Sequence, residues 1–166
     1  DEFVSVEHLL LGILATSGTV LSESYKIEIN KFYPEIDVFQ HACPLWVPLV
    51  ENNEINSKAA HDIVEKDINN LFLQSNEIDT IVLACTHYPL LLPVIKQYVP
   101  EKVTILSQGN LVADKLKSYL NHHSEVETIC SKNGVLKFYT TDDAKSFETN
   151  ASIFYEQKIH ASHIIV

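Results

Sequence analysis

The feature that most constrains the fold is a regular alternation of short apolar runs with longer segments of helical periodicity. The apolar runs predict five strands, over residues 9–15, 38–43, 79–85, 103–106 and 135–139. Helical patterns follow, in a segment that ends at Pro34, after a cap at Ser57, and over residues 90–99, 111–120 and 142–155. The helix after Ser57 has Ala60, Val64, Ile68 and Leu71 on one face, and Pro93 predicts that the helix after Pro89 starts late or is kinked. This alternation predicts an α/β fold with a mostly parallel sheet and flanking helices. We expect residues 163–166 to form a last strand and the polar stretch 121–133 to be a loop.

Composition excludes several classes of partner. The chain has 166 residues, a net charge of −10 and no arginine, so it lacks the guanidinium clamps that hold phosphate. Nucleic acid and membranes are therefore not expected as partners, and no apolar run approaches the roughly 18 residues of a membrane span. The four glycines form no dinucleotide or phosphate-loop motif. Any anionic substrate must be held by backbone N–H groups, hydroxyls, amides or lysines.

The sulfur-containing residues add two expectations. Three cysteines, Cys43, Cys85 and Cys130, cannot all pair within the chain, and no signal peptide is visible. A reducing, cytoplasmic setting is therefore expected. Methionine is absent and the first residue is Asp1, from which we expect an incomplete chain.

Candidate functional residues follow the predicted strands. Ligands of open α/β sheets bind beyond the carboxyl ends of the strands. The hydroxyls of Thr16 and Thr19 lie there, and they either cap the next helix or help to hold an anion. Residues 44–51, interrupted by two prolines, form a loop or a short helix that ends at Glu51. The Glu51 carboxylate is either solvated or orients a histidine.

The sharpest chemical signal is Cys85-Thr86-His87. A cysteine between a strand end and a helix N-terminus is favoured as thiolate, and an imidazole two residues away can take or return its proton. The competing interpretation is a buried cysteine beside a hydrogen-bonded loop histidine. A further alternative is a zinc site formed by His41, Cys43, Cys85 and His87. Cys43 and Cys130 are otherwise interpreted as buried or incidental thiols.

Four segments resemble the glutamate racemase family. Residues 83–91, LACTHYPLL, resemble its LGCTHYPLL signature, and residues 42–51, ACPLWVPLVE, are similar to its ACPxxVPLVE segment. Residues 12–19 resemble its strand and threonine loop, and residues 138–141 the stretch before its last helix. Departures are Ala84 in place of glycine and Ser-Gln-Gly at residues 107–109 in place of Asp-Ser-Gly. The family's upstream ACNT and DSGxGG motifs are absent, so the resemblance covers about the C-terminal two-thirds of a member.

The resemblance implies a cofactor-independent, metal-free interconversion of L- and D-glutamate, in which two thiols face the α-carbon from opposite sides. Cys85 matches the second catalytic thiol, and Thr86 and His87 match residues that bind substrate or assist that thiol. Glu51 matches a carboxylate associated with the histidine, so Cys85, His87 and Glu51 are the expected catalytic group. Thr16 and Thr19, with Thr86 and His87, are the expected substrate-binding residues.

The resemblance also implies an organisation. Two pseudo-symmetric α/β lobes close over the substrate, residues 1–106 corresponding to the lobe with the second cysteine and residues 107–166 to a segment that returns to the other lobe. The full-length enzyme is expected to be a homodimer that supplies D-glutamate for bacterial peptidoglycan. Because the first thiol's motif is absent, the isolated chain is expected to be inactive. Two alternatives stay open: a racemase of aspartate or another amino acid, and a non-catalytic ligand-binding module on the same fold.

Overall fold

The computed structural model describes residues 9–166. These residues divide into two compact units, a first unit that ends at Asp114 and a second unit, Lys115–Val166. The division falls a little after the boundary expected at residue 106. None of the helices in the described part combines the length and apolarity needed to cross a membrane.

The first unit contains a four-stranded sheet with helices between the strands. Its strands are β1 (Leu10–Ala15), β2 (Asp37–Ala42), β3 (Thr80–Leu83) and β4 (Thr104–Ser107). Its helices are α1 (Ser17–Leu21), α2 (Ser24–Phe32), α3 (Trp46–Glu51), α4 (Lys58–Phe72) and α5 (Leu92–Tyr98), and α6 (Gln108–His122) continues into the second unit. The strand order is β2-β1-β3-β4, and every pair is parallel. The predicted mostly parallel α/β sheet is confirmed.

Strand β1 separates two hydrophobic clusters because successive side chains of a strand point to opposite faces. Leu11, Ile13 and Ala15 form one cluster, against which partly buried side chains of α1 and α2 pack. Leu14 belongs to the larger cluster, which includes α3, α4 and α5. Gly12 faces that second side, where an added Cβ would lie 2.8 Å from a methyl group of Leu71. A glycine there allows α4 to approach the sheet closely.

Helix α4 forms as its sequence predicts. The Ser57 hydroxyl accepts a hydrogen bond from the Ala60 N–H at 3.1 Å, which satisfies one of the free donors of the first turn. The apolar residues expected on one face are buried: Ala60, Val64, Ile68 and Leu71. One buried position of this face carries a charge, Asp67, whose partners are described below.

The proline-containing segments form short helical elements. Residues 44–51 contain the short helix α3, one of the two forms expected for them. After β3, a 3₁₀ turn over Tyr88–Leu91 precedes α5, with Pro89 near the start of the turn and Pro93 near the start of the helix. Proline lacks an N–H that the first helical turn does not need, so these positions tolerate it. The late start expected for this helix is therefore present.

The second unit departs from the predicted elements. Its strands β5 (Phe138–Thr140) and β6 (Ala161–His163) pair in parallel as a separate two-stranded sheet and flank helix α8 (Ala144–Tyr155). The strands expected at residues 135–139 and 163–166 are thus shifted in opposite directions along the chain. Residues 121–133 are not simply a loop, because they contain the end of α6 and a short helix α7 (Ser124–Ile129). Two glutamates in the first turn of α7 interact favourably with the helix dipole. The sequence of this short polar helix lacks the clear apolar periodicity from which a helix is predicted.

Candidate active site at the carboxyl edge of the sheet

The predicted functional residues follow three neighbouring strands of the first unit. Thr16 comes directly after β1, Cys43 after β2, and Cys85 two residues after β3. Because these strands are parallel and adjacent in the order β2-β1-β3, their carboxyl ends lie at one edge of the sheet. Backbone hydrogen bonds extend the pairing beyond the strands: the N–H groups of Cys43 and Ala84 donate to the carbonyls of Ala15 and Leu14.

Cys85, His87 and Glu51 form a continuous polar chain at this edge. The Cys85 Sγ lies 3.9 Å from His87 Nδ1, and His87 Nε2 lies 3.1 Å from Glu51 Oε1. The Thr86 hydroxyl oxygen is 3.4 Å from the same Nδ1. The His87 side chain is 24% exposed and that of Glu51 is 48% exposed, so the chain runs from a half-buried thiol to solvent.

The carboxylate fixes the tautomer of a neutral His87. A carboxylate can only accept a hydrogen bond, so the nitrogen facing Glu51, Nε2, must carry the proton. Nδ1 is then unprotonated, and its lone pair faces the Cys85 thiol and the Thr86 hydroxyl. An imidazole in this state can take a proton from the thiol, and the resulting imidazolium would be stabilised by Glu51.

Thr16 and Thr19 form a second polar pair. Their hydroxyl oxygens are 3.0 Å apart, and the Thr19 N–H donates to the Thr16 hydroxyl at 3.4 Å. Thr16 is thus the N-cap of the five-residue helix α1, which is the structural alternative considered for it. Each hydroxyl can use further lone pairs for a ligand.

Tyr88 and Cys43 lie buried beside this site. The Tyr88 hydroxyl donates to the Cys43 carbonyl at 3.0 Å, and its ring packs on Trp46 with centroids 4.8 Å apart. Burial raises the pKa of the Tyr88 phenol above its ordinary value. Burial likewise raises the pKa of the Cys43 thiol, and negative charge on Asp67 and Cys85 raises it further. Cys43 is therefore held as a neutral thiol at physiological pH.

A buried carboxylate that the sequence interpretation did not include organises this region. One oxygen of Asp67 accepts from Trp46 Nε1 at 2.8 Å, and the other lies 3.1 Å from His41 Nε2. The available signal was the position of Asp67 three residues from Val64 and four from Leu71, within the apolar face of α4. An acid on such a face indicates buried hydrogen-bond partners, but not which ones.

These contacts also show whether the four-ligand zinc site considered from the sequence is formed. His87 is paired with Glu51, and His41 is paired with Asp67. Within residues 9–166, the group of three or more possible ligands whose atoms lie close together is His41, Cys43 and Asp67. The four-residue set that combined His41 and Cys43 with Cys85 and His87 is therefore not formed in the described residues.

Known proteins similar to this chain are glutamate racemases. Glutamate racemase 2 of Caldanaerobacter subterraneus is 35% identical over an alignment of 159 residues, which covers 93% of this chain and 57% of that protein. The glutamate racemase of Enterococcus faecalis is 37% identical over 142 residues, 86% of this chain and 51% of its own length. No family model matches the sequence.

Solved structures give the same result. Glutamate racemase RacE1 of Bacillus anthracis superposes with a TM-score of 0.81 at 31% identity, covering 95% of this chain and 57% of that one. The chain thus corresponds to part of a glutamate racemase. It spans a little over half the length of the racemases it matches, in agreement with a resemblance to only part of a member. The Francisella tularensis glutamate racemase, solved with D-glutamate, shares the fold with a TM-score of 0.81 at 24% identity.

Proposed function

We propose that this chain contributes one of the two thiols of a cofactor-independent glutamate racemase, and that Cys85 is that thiol. The observation that carries the proposal is the polar chain from Cys85 through His87 to Glu51 at the carboxyl edge of a parallel sheet. The similarity to glutamate racemases supports an isomerase that acts on an amino acid. The D-glutamate bound to the Francisella relative supports the substrate class.

The chemistry assigned to Cys85 is a proton transfer at one face of the substrate. As thiolate, Cys85 removes the α-proton, the C–H electron pair stays on the substrate carbanion, and the opposite thiol donates a proton. In the reverse direction Cys85 donates and the opposite thiol removes. His87 Nδ1 takes the Cys85 proton to form the thiolate, and Glu51 stabilises the imidazolium through Nε2–H.

The opposite thiol is proposed to come from sequence that this chain does not contain. Cys43 is fully buried and its thiol is held neutral, so it is unsuited to removing a proton from a substrate. Cys130 is exposed in the second unit and lies outside the strand-end residues. The family's ACNT motif, absent here, is the proposed source, and residues 107–166 are proposed to pack against the lobe that carries it.

Substrate binding is proposed to rely on hydroxyls and backbone N–H groups. Thr16, Thr19 and Thr86 present hydroxyls near the strand ends, and the chain has no arginine that could bind a carboxylate. We extend the proposal to the full-length protein as a cytoplasmic homodimer that provides D-glutamate for peptidoglycan.

The test is exchange of the α-proton of each glutamate enantiomer in deuterated water, followed by proton NMR and chiral chromatography. The protein encoded by the complete reading frame should racemise glutamate, and Cys85→Ser should lower that rate by about 10²–10⁴-fold. Cys130 is an exposed thiol in the other unit, so Cys130→Ser is the matched control and should leave the rate unchanged. The 166-residue chain alone should not invert either enantiomer.

Four outcomes contradict parts of this proposal. Racemisation by the 166-residue chain would show that it needs no further thiol. An unchanged rate in Cys85→Ser would remove Cys85 from the mechanism. Faster turnover of aspartate than of glutamate would replace the substrate, and glutamate binding without any proton exchange in the complete protein would favour a non-catalytic binding module.

A further inference from the structure

A cluster of three metal-ligating side chains lies in the first unit, beside the Cys85–His87–Glu51 chain but sharing no residue with it. His41 lies on β2, Cys43 follows that strand, and Asp67 lies on α4. Residues 41 and 43 are two apart in extended backbone, so both side chains are directed to one face, the face that α4 covers. Their ligand atoms, one nitrogen, one sulfur and one carboxylate oxygen, all lie within 4.8 Å of one another. We infer that His41, Cys43 and Asp67 form a binding site for a divalent cation of the zinc class.

The charge of the cluster suits such a cation. Cys43 is a neutral thiol without the ion and would bind it as a thiolate. That thiolate and the Asp67 carboxylate together carry two negative charges, which a divalent ion neutralises, and the imidazole ligand is neutral. Asp67 is 8% exposed, and among residues 9–166 its ion-pair partner is His41, which carries no permanent charge. A buried carboxylate without a permanent cation is costly, so a bound ion would offset its desolvation.

The surroundings of the cluster orient its ligands. Trp46 Nε1 donates to one oxygen of Asp67 at 2.8 Å, which directs the other oxygen towards His41 Nε2, 3.1 Å away. Hydrogen bonds of this kind to ligating carboxylates fix their orientation in metal sites. The Cys43 backbone is fixed as well, because its N–H donates to Ala15 and its carbonyl accepts from Tyr88.

Zinc coordination requires only a small adjustment. Tetrahedral ligands with zinc–ligand bonds of about 2.0–2.3 Å are about 3.3–3.6 Å apart, so the longest separation must shorten by about 1 Å. The His41 side chain is 20% exposed, which gives its ring space to turn and lets water reach a fourth position. On binding, the cation replaces the His41–Asp67 hydrogen bond. The Nε2 proton of His41 passes to solvent while Nδ1 takes one up, so the imidazole stays neutral, and the Cys43 thiol releases its proton to solvent. The site would then tie β2 to α4.

Cobalt substitution tests the inference on the 166-residue chain itself. The protein is stripped with a chelator under a non-thiol reductant and titrated with Co²⁺, while absorbance is followed from the near ultraviolet to the visible. The expected result is one Co²⁺ per chain, with a thiolate-to-cobalt charge-transfer band that Zn²⁺ displaces. Circular dichroism of every variant confirms that it is folded before metal is added.

Variants locate the ion. Cys43→Ser should abolish the charge-transfer band, whereas His41→Gln and Asp67→Asn should weaken Co²⁺ binding by at least about tenfold. Trp46→Phe keeps all three ligands but removes the donor to Asp67, and it should weaken binding by about tenfold. Cys130→Ser is the matched control and should bind as the unchanged protein does, and Cys85→Ser should keep the charge-transfer band. If Cys43→Ser does not fold, the losses in Asp67→Asn and Trp46→Phe decide.

The inference is overturned if the unchanged protein shows no charge-transfer band at stoichiometric Co²⁺, or if the band disappears in Cys85→Ser or Cys130→Ser instead. Equal binding by Asp67→Asn and the unchanged protein would also overturn it. None of these results depends on the proposed racemase activity, because no substrate is present and Cys85 is not a ligand.

Discussion

Both units contain strands and helices, but they bury very different numbers of apolar side chains. Among the described residues, every buried apolar side chain except Ile159 belongs to the first unit. The second unit also has a strand-helix-strand order, yet Ile129, Leu136 and Ile165 are each more than 60% exposed. Helices α7 and α8 contain no buried residue at all. Regular hydrogen bonding thus forms in both units, whereas a hydrophobic core forms in one.

This difference predicts unequal stability, since burial of apolar surface is the main favourable term in folding. A two-stranded sheet is marginal unless it packs against other elements. The second unit contains instead separate hydrogen bonds and ring contacts. The Glu148 carboxylate accepts from the Ala161 N–H at 2.8 Å, and the rings of Phe138 and Tyr155 meet edge to face.

The largest expected effect is on hydrogen exchange. Amides of β1 and β3 in the first unit should exchange on the order of 100-fold or more slowly than those of β5 and β6, because core strands open only with the whole unit. Mass spectrometry of peptides after timed deuteration measures this. Equal protection of all four strands would mean that the two units open together, and the contrast drawn above would not hold.

Truncation of a leucine in each unit sharpens the comparison. Leu14→Ala, in β1 and fully buried, should lower the free energy of unfolding by about 2–5 kcal/mol, because it removes apolar contacts and leaves a cavity. Leu136→Ala, at 64% exposure, should change it by no more than about 0.5 kcal/mol. Urea unfolding measures both.

Leu73→Ala separates burial from location in these measurements. Leu73 belongs to the first unit but is 83% exposed, so its truncation should behave like that of Leu136. A large cost for Leu136→Ala would show that its side chain is covered in solution.

One glycine in each unit should resist substitution, for a steric reason in the first unit and a conformational reason in the second. Gly12→Ala should cost about 1–3 kcal/mol, because its Cβ meets Leu71 in a packed core. Gly134→Ala should cost about 1 kcal/mol for a different reason: Gly134 has a φ of +62° and open space around it.

Asparagine tests the two reasons, since it adopts positive φ more readily than alanine. Gly134→Asn should be less destabilising than Gly134→Ala, and Gly12→Asn more destabilising than Gly12→Ala, as measured by chemical unfolding. The opposite order at either site would show that its limit has been assigned wrongly.

Local sequence signals predicted the first unit well and the second unit poorly. Ser57 as a cap, the apolar face of α4 and the late start of the helix after Pro89 each depend on residues a few positions apart. The pairing of β5 with β6 depends instead on which strands are available, and short polar elements such as α7 lack a clear periodicity. Hydrophobic periodicity reports which face of an element is apolar, but not whether anything covers it.

The residues of the candidate site also differ in whether a local sequence signal identifies them. The strand-end rule selects Cys85, His87 and Glu51 from the sequence, because parallel strands bring their carboxyl ends to one edge. Asp67 was missed because its partners Trp46 and His41 lie 21 and 26 residues away and on other elements. Pairings of this range depend on how α4 packs across the sheet, which no local pattern encodes.

The smallest expected effect compares the helix caps of the two units. Ser57 and Asp143 cap α4 and α8 by accepting from backbone N–H groups three residues on, at 3.1 and 2.8 Å. Substitution of either by alanine removes a similar bond, worth about 0.5–2 kcal/mol. Ser57→Ala should shift the cooperative unfolding of the first unit by that amount. Asp143→Ala should leave that transition unchanged and lower only the exchange protection of α8, because a cap stabilises the unit to which its helix belongs. A shift of the first unit's transition by Asp143→Ala would show that the two units unfold as one.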